Sequence, residues 1–110
     1  MTEKYLSIQE AMQQGKGIVS VRGWVHRERG SNQLKFIVLR DSSALIQCVF
    51  ERTEFPNTWD EIDHFQMETS VEITGIIKEE KRAPSGYEIH VQDYTLVGKS
   101  EIFPLLKINR

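Results

Sequence analysis

The sequence predicts an all-β domain with one or two short helices, a five-stranded barrel, and three observations predict it. Five β-rich or alternating apolar stretches recur along the 110 residues, turn chemistry separates them, and one helical stretch falls between the third and the fourth. The length fits a single domain over residues 1–110, because a chain of this size has no room for a second core.

The elements follow in order. Ser7 and Glu10 have the spacing of a capping box and Gly15 is placed to end a short helix from Ile8 to Gln14, a lid over whatever follows. From Ile18 the period becomes two: Val19, Val21, Gly23 and Val25 share one face of a long first strand, and Ser20, Arg22, Trp24 and His26 share the other. Gly23 suits a bend or bulge that lets this strand serve two halves of a barrel. RERGSNQ is turn chemistry leading into the second strand, LKFIVLRD, and Asp41, Ser42 and Ser43 turn the chain into the third, ALIQCVFE. Pro56, Asn57 and Thr58 start a helix, with Thr58 and Glu61 again at capping-box spacing and Phe55, Trp59, Ile62 and Phe65 near one face. TSVEITGIIK is a fourth strand, KRAPSG a loop and YEIHVQDYTLV a fifth strand. This β-β-β-α-β-β order is that of the OB-fold, a partly open Greek-key barrel that often binds oligonucleotides or oligosaccharides.

Composition narrows the function. The net charge of -2 argues against coating nucleic acid by bulk electrostatics, so any such binding is local. Charge is unevenly spread: residues 22–40 carry Arg22, Arg27, Arg29, Lys35 and Arg40 against Glu28, whereas 51–72 carry seven acids against Arg52, so one face can be basic. No apolar run approaches the roughly 20 residues of a membrane helix, and MTEKYLSIQE lacks a signal peptide's apolar stretch, so the expected compartment is the cytoplasm. Cys48, the single cysteine, lies in the apolar run ALIQCVF and reads as core. His26, His64 and His90 are too scattered for a zinc set, so no metal is expected. No phosphate loop, activated nucleophile or purposeful carboxylate pair is present, and no catalytic residue is assigned.

On the second strand Ile37 and Leu39 share one parity and Phe36, Val38 and Arg40 the other; on the third, Ile46, Cys48 and Phe50 are the apolar set and Gln47 faces the opposite way. With the aliphatic pair inward, Phe36 and Gln47 are neighbours on one outer surface. An aromatic ring beside an amide can hold an unstacked base by its face and read its edge. A lone phenylalanine in a β-rich run is more often core, however, and a lone glutamine more often merely solvated. Arg27 and Arg29, beside the first turn, are placed to meet phosphates or a base edge, although a charged hairpin end is more often only solvated.

The run VRGWVHRERGSNQLKFIVLRDSSALIQCVF, residues 21–50, resembles the anticodon-binding domain of the aspartyl/asparaginyl branch of class II aminoacyl-tRNA synthetases. The resemblance continues in SVEITGIIK, in RAPSGYEIHV, whose RAPSGYEI is more like asparaginyl members, and in the terminal EIFPLLK. It implies that Phe36 stacks on the central uridine of an anticodon, that Gln47 bonds the same base and that Arg29 contacts the anticodon. Arg27 and Lys35 would supply nearby positive charge. His90 falls where bacterial aspartyl members carry an acid near the first anticodon base, and Glu80 where they carry a base. The implied partner is the anticodon loop of a tRNA, asparagine tRNA above all. The class II catalytic motifs are absent, so the chain is expected to be a domain excised from a longer, typically homodimeric ligase. That ligase's ATP and magnesium would belong to its catalytic domain, leaving this domain without a cofactor. A freestanding single-strand binder of the same fold and a protein-interaction module anchored by Phe36 are the alternatives.

Overall fold

The computed structural model describes residues 5–98, and the terminal EIFPLLK lies outside them. Helix α1 (Ile8–Gln14) precedes strands β1 (Gly17–Gly30), β2 (Leu34–Arg40) and β3 (Leu45–Glu51); a 3-10 turn (Arg52–Glu54) and helix α2 (Trp59–Asp63) lead to β4 (Ser70–Glu79) and β5 (Tyr87–Gly98). The strands close into a barrel in the order β1-β2-β3-β5-β4, with every pair antiparallel except β3 and β5, which run parallel. This is the five-stranded OB barrel that the element order predicts.

Alternation fills the interior. Val19, Val21 and Val25 of β1, Ile37 and Leu39 of β2, Ile46, Cys48 and Phe50 of β3, Val71, Ile73 and Ile77 of β4, and Ile89 and Val91 of β5 are all buried. Each such aliphatic side chain contributes roughly 1.5–3 kcal/mol relative to exposure, and their joint burial is what closes the barrel. Cys48 is inside this set, where burial, with help from the negative charge of Glu88, pushes its thiol well above the ordinary range.

Helix α1 covers one part of the barrel with Ile8 and Ala11, and both halves of the Ser7–Glu10 capping box are formed. Gly15 ends it in the left-handed region at φ 73°, where a side chain would be strained. The β2–β3 turn helps to hold the helix: Ile8 N–H donates to Asp41 Oδ2 at 2.9 Å and Gln9 N–H to Ser43 Oγ at 3.1 Å. Burial alone would raise the Asp41 carboxyl, but hydrogen bonds from Ile8, Ser43 and Ala44 outweigh it and hold the group below the usual carboxylate range.

Two expectations need correction. Thr58 is the N-cap of α2 but makes no side-chain cap, and the helix is only five residues long. The Glu61 carboxylate that a capping box needs is instead taken by the Tyr94 hydroxyl, at 2.5 Å. The bulge in β1 also lies later than Gly23. The strand pairs with β4 from Gly17 to Trp24 and with β2 from Trp24 to Gly30, and the register slips between Val25 and Arg27, so that His26 is the extra residue. Gly23 serves close approach: a Cβ there would stand 2.3 Å from the Arg40 carbonyl oxygen.

Candidate nucleic-acid interface

The slip at His26 creates the site. Val25 faces the core, and strict alternation would turn Arg27 and Arg29 inward after it. With one residue extra, Arg27 lies opposite Val38 and Arg29 opposite Phe36, both outward-facing positions of β2, while Glu28 lies opposite buried Ile37. The β2–β3 register then sets Val38 opposite Gln47 and Phe36 opposite Val49, so Phe36 and Gln47 are diagonal neighbours on one outer surface. These side chains line a cleft of about 360 Å³ formed by Arg27, Glu28, Arg29, Phe36, Val38 and Gln47, with Arg82 and Pro84 of the β4–β5 loop on its other side.

Within the cleft the Arg29 guanidinium lies over the Phe36 ring, 4.5 Å from its centroid, a cation–π contact. Phe36 is only partly buried and is absent from the hydrophobic core, unlike most phenylalanines on strands. Gln47 is not simply solvated. It is 7% exposed, and its Nε2 donates to Glu88 Oε1 at 3.0 Å. Glu88 is its register partner across the parallel β3–β5 closure, and the other oxygen, Oε2, lies 2.8 Å from His90 Nε2. A relay therefore runs from Gln47 through Glu88 to His90 along the outer surface of β3 and β5.

Five of the six residues singled out from sequence thus belong to one continuous surface: Arg27, Arg29, Phe36 and Gln47 in the cleft and His90 beside it. Lys35 does not join them. It is 4% exposed, and its Nζ is held by Glu28 Oε1 at 2.5 Å and the Asp63 carbonyl oxygen at 3.2 Å, beneath α2. It shares the parity of Ile37 and Leu39, so alternation already directed it away from Phe36. The residues that sequence reasoning missed are Glu88, Arg82 and Pro84. Arg82 and Pro84 were visible only as loop residues, and Glu88 becomes relevant through a strand pairing that no local pattern predicts.

A larger concavity of about 510 Å³ lies between the approach to α2 and β5. Glu54, Glu61 and Asp93 line it, and that charge is wrong for a phosphate backbone. The smaller cleft carries the arginines, the ring and the amide. Stacking surface, cations and an edge-reading group can together grip a flipped-out base of a single strand.

A closed five-stranded barrel with α2 between β3 and β4 and a basic, aromatic-lined cleft on its β1–β2–β3 surface defines an OB-fold domain of the nucleic-acid-binding class. Residues 19–97 match the family described as OB-fold nucleic acid binding domain, of the tRNA anti-codon type, and the chain belongs to it. Among curated relatives, the chain is 46% identical over 90 residues to the asparagine–tRNA ligase of Thermoplasma acidophilum, covering 81% of this chain and 21% of that protein. It is 36% identical over 96 residues to the asparagine–tRNA ligase of Lactococcus lactis, covering 79% and 22%. The chain thus spans about a fifth of the length of the curated relatives it matches. Among solved structures, the asparaginyl-tRNA synthetase of Pyrococcus horikoshii superposes with a TM-score of 0.80 at 28% identity, covering 94% of this chain and 26% of that one. Among the described residues, no helix is long and apolar enough to cross a membrane.

Proposed function

We propose that this chain is the anticodon-binding module of an asparagine–tRNA ligase and grips the anticodon loop of asparagine tRNA in the cleft around Phe36. The observation that carries this reading is the convergence of Phe36, Gln47 and Arg29 in one cleft of a domain whose relatives are asparagine–tRNA ligases. Phe36 supplies the stacking platform for the central uridine and Gln47 reads its edge. Arg29 leaves its place over the ring, or sandwiches the base against it, and meets the backbone with Arg27. His90 contacts a flanking anticodon base. ATP, magnesium and the joining of asparagine to the tRNA belong to the ligase's catalytic part, not to this cleft, and the ligase acts as a homodimer in the cytoplasm.

Titration of the 110-residue chain with an asparagine anticodon stem-loop and with an unrelated loop of equal length tests the proposal. The anticodon loop binds more tightly. With two phosphates neutralised by Arg27 and Arg29, the log-log salt slope is about -1 to -2, since each single-strand contact contributes about -0.7. Equal affinity for both loops would reduce the domain to a general single-strand binder, and the absence of any RNA binding would favour a protein partner at Phe36.

A further inference from the structure

We infer that Glu88 is a positioning residue that locks the Gln47 amide in one orientation, and that this lock makes the cleft select uridine over cytidine. The inference deepens the function proposed above and rests on its assignment of Gln47 as the base-edge reader. It begins with a symmetry. A carboxamide has an acceptor oxygen and a donor nitrogen of nearly the same size, interchanged by a half-turn about its last side-chain bond. The two pyrimidines differ in the same sense. Uracil presents an N3–H donor beside the O4 acceptor, whereas cytosine presents the N3 acceptor beside an N4 amino donor. An unrestrained glutamine can therefore satisfy either base by flipping, and stacking on Phe36 cannot tell them apart, because both bases have a π-face.

Glu88 breaks this symmetry. An ionised carboxylate only accepts hydrogen bonds, so the partner it faces at 3.0 Å must be the Gln47 amino group. A flipped amide would set its oxygen against the carboxylate and lose a charge-assisted bond. Such a bond favours the observed orientation by roughly 10- to 100-fold. The lock is itself held: Glu88 is 8% exposed, sits opposite Gln47 across the β3–β5 closure, and has its second oxygen tied to His90 Nε2. The reading atoms remain available. Among the described residues the one buried side-chain polar atom without a partner is the Ser85 hydroxyl, so Gln47 Oε1, which no protein group bonds, is open to the cleft it lines. Oriented this way, the amide offers Oε1 to an N3–H donor and its second N–H to O4, the pattern of uracil. Cytosine meets acceptor with acceptor and donor with donor.

The experiment compares two anticodon stem-loops that differ only in uridine or cytidine at the central position, binding the 110-residue chain and its Glu88→Gln, Gln47→Ala and Phe36→Ala variants. The unaltered chain prefers uridine by roughly 5- to 100-fold, as expected for a two-bond base contact. Glu88→Gln keeps the shape of the side chain but gives it a group that both donates and accepts, so Gln47 is released to flip. The preference then falls to within about threefold or reverses, mostly through tighter cytidine binding. Phe36→Ala weakens both loops alike. A Glu88→Gln variant that keeps the full preference while Gln47→Ala loses it overturns the lock and leaves the reader standing. Equal binding of the two loops by the unaltered chain overturns the reader and the lock with it. Should Glu88→Gln fail to fold, the Gln47 side-chain amide is followed by NMR in the unaltered chain. Slow exchange of one amide proton supports the lock, and exchange at the rate of a free glutamine overturns it.

Discussion

Phe36 and Phe50 lie on adjacent strands of one hairpin, and their register positions differ by one: Phe36 is opposite Val49 and Phe50 is opposite Lys35. Their surroundings have nothing in common. Phe50 is fully buried with Phe55, Phe65 and Tyr94 packed about it at centroid distances of 5.6–5.7 Å, in tilted or edge-on arrangements. Phe36 has a guanidinium for its ring contact and opens on a cleft. The comparison teaches that residue type says little here about role. A single step along the ladder separates a ring that holds the barrel together from one that is free to hold something else.

Substitution breaks the comparison most directly at Phe50. Phe50→Ala removes the ring that its aromatic neighbours share and costs about 3–5 kcal/mol of stability, read as a shift in the urea midpoint at constant slope. Phe36→Ala reverses the balance: the urea midpoint stays nearly where it was, while anticodon stem-loop binding weakens by about 1–3 kcal/mol. If Phe36→Ala instead unfolds the chain, the two rings are alike and the cleft is only a seam in the core.

Lys35 sharpens the same contrast from the other side. Lys35→Met removes an ammonium whose partner Glu28 remains partly exposed, so its cost in stability is about 1 kcal/mol or less. Loop affinity falls only slightly, since the ammonium never reaches the cleft but the Glu28 carboxylate it neutralises lines it. A clear loss of RNA binding in that variant, with stability intact, would show that Lys35 leaves Glu28 when RNA arrives.

A separate effect is one of pH at the packed cluster. Burial, reinforced by the hydrogen bond to Glu61, pushes the Tyr94 phenol up to about 12 from its ordinary value near 10. The folded state therefore holds this proton more tightly than the unfolded chain, so the stabilisation is complete below about pH 10 and is lost as pH rises through 10 towards 12. Tyr94→Phe should remove that part of the alkaline loss. Phenolate absorbance checks it: a fraction titrating near pH 12 is present in the unaltered chain and missing from the variant.

Much of this architecture was legible in sequence because it depends on local alternation. The inward sets of β2, β3 and β4, the α1 capping box and the outward placement of Phe36 and Gln47 all follow from a period of two or from spacing. Alternation fails where a residue is added, as at His26 and again on β5, where Gln92 is bypassed between Val91 and Asp93, so that Tyr94 and Leu96 pack on the core. No turn residue or glycine adjoins His26, and at Gln92 the cues, Asp93 beside it and Gly75 across the ladder, show as signals only once the strands are paired. The relay through Glu88 was illegible for a different reason. It depends on β3 and β5 meeting in parallel, a contact spanning 41 residues that closes only when the whole barrel does. Lys35 is the opposite case, since its parity was legible and its charge drew the reading elsewhere.

The extra residue at His26 also settles how firmly the strand is seated. If β1 slid by one residue to restore an unbroken ladder, Glu28 would swing to the outside while Arg27 and Arg29 swung into the barrel, exchanging a cationic rim for an anionic one. The guanidiniums would then come up against the buried Lys35 ammonium, which would also lose its Glu28 partner, at a cost of several kcal/mol. Among the competing alignments that a twisting strand samples, this one is barred by the charges themselves. The arginines that line the cleft are thus also the detent that stops β1 from slipping, and on the function proposed above neutralising both loosens the registration of the strand as well as weakening RNA binding.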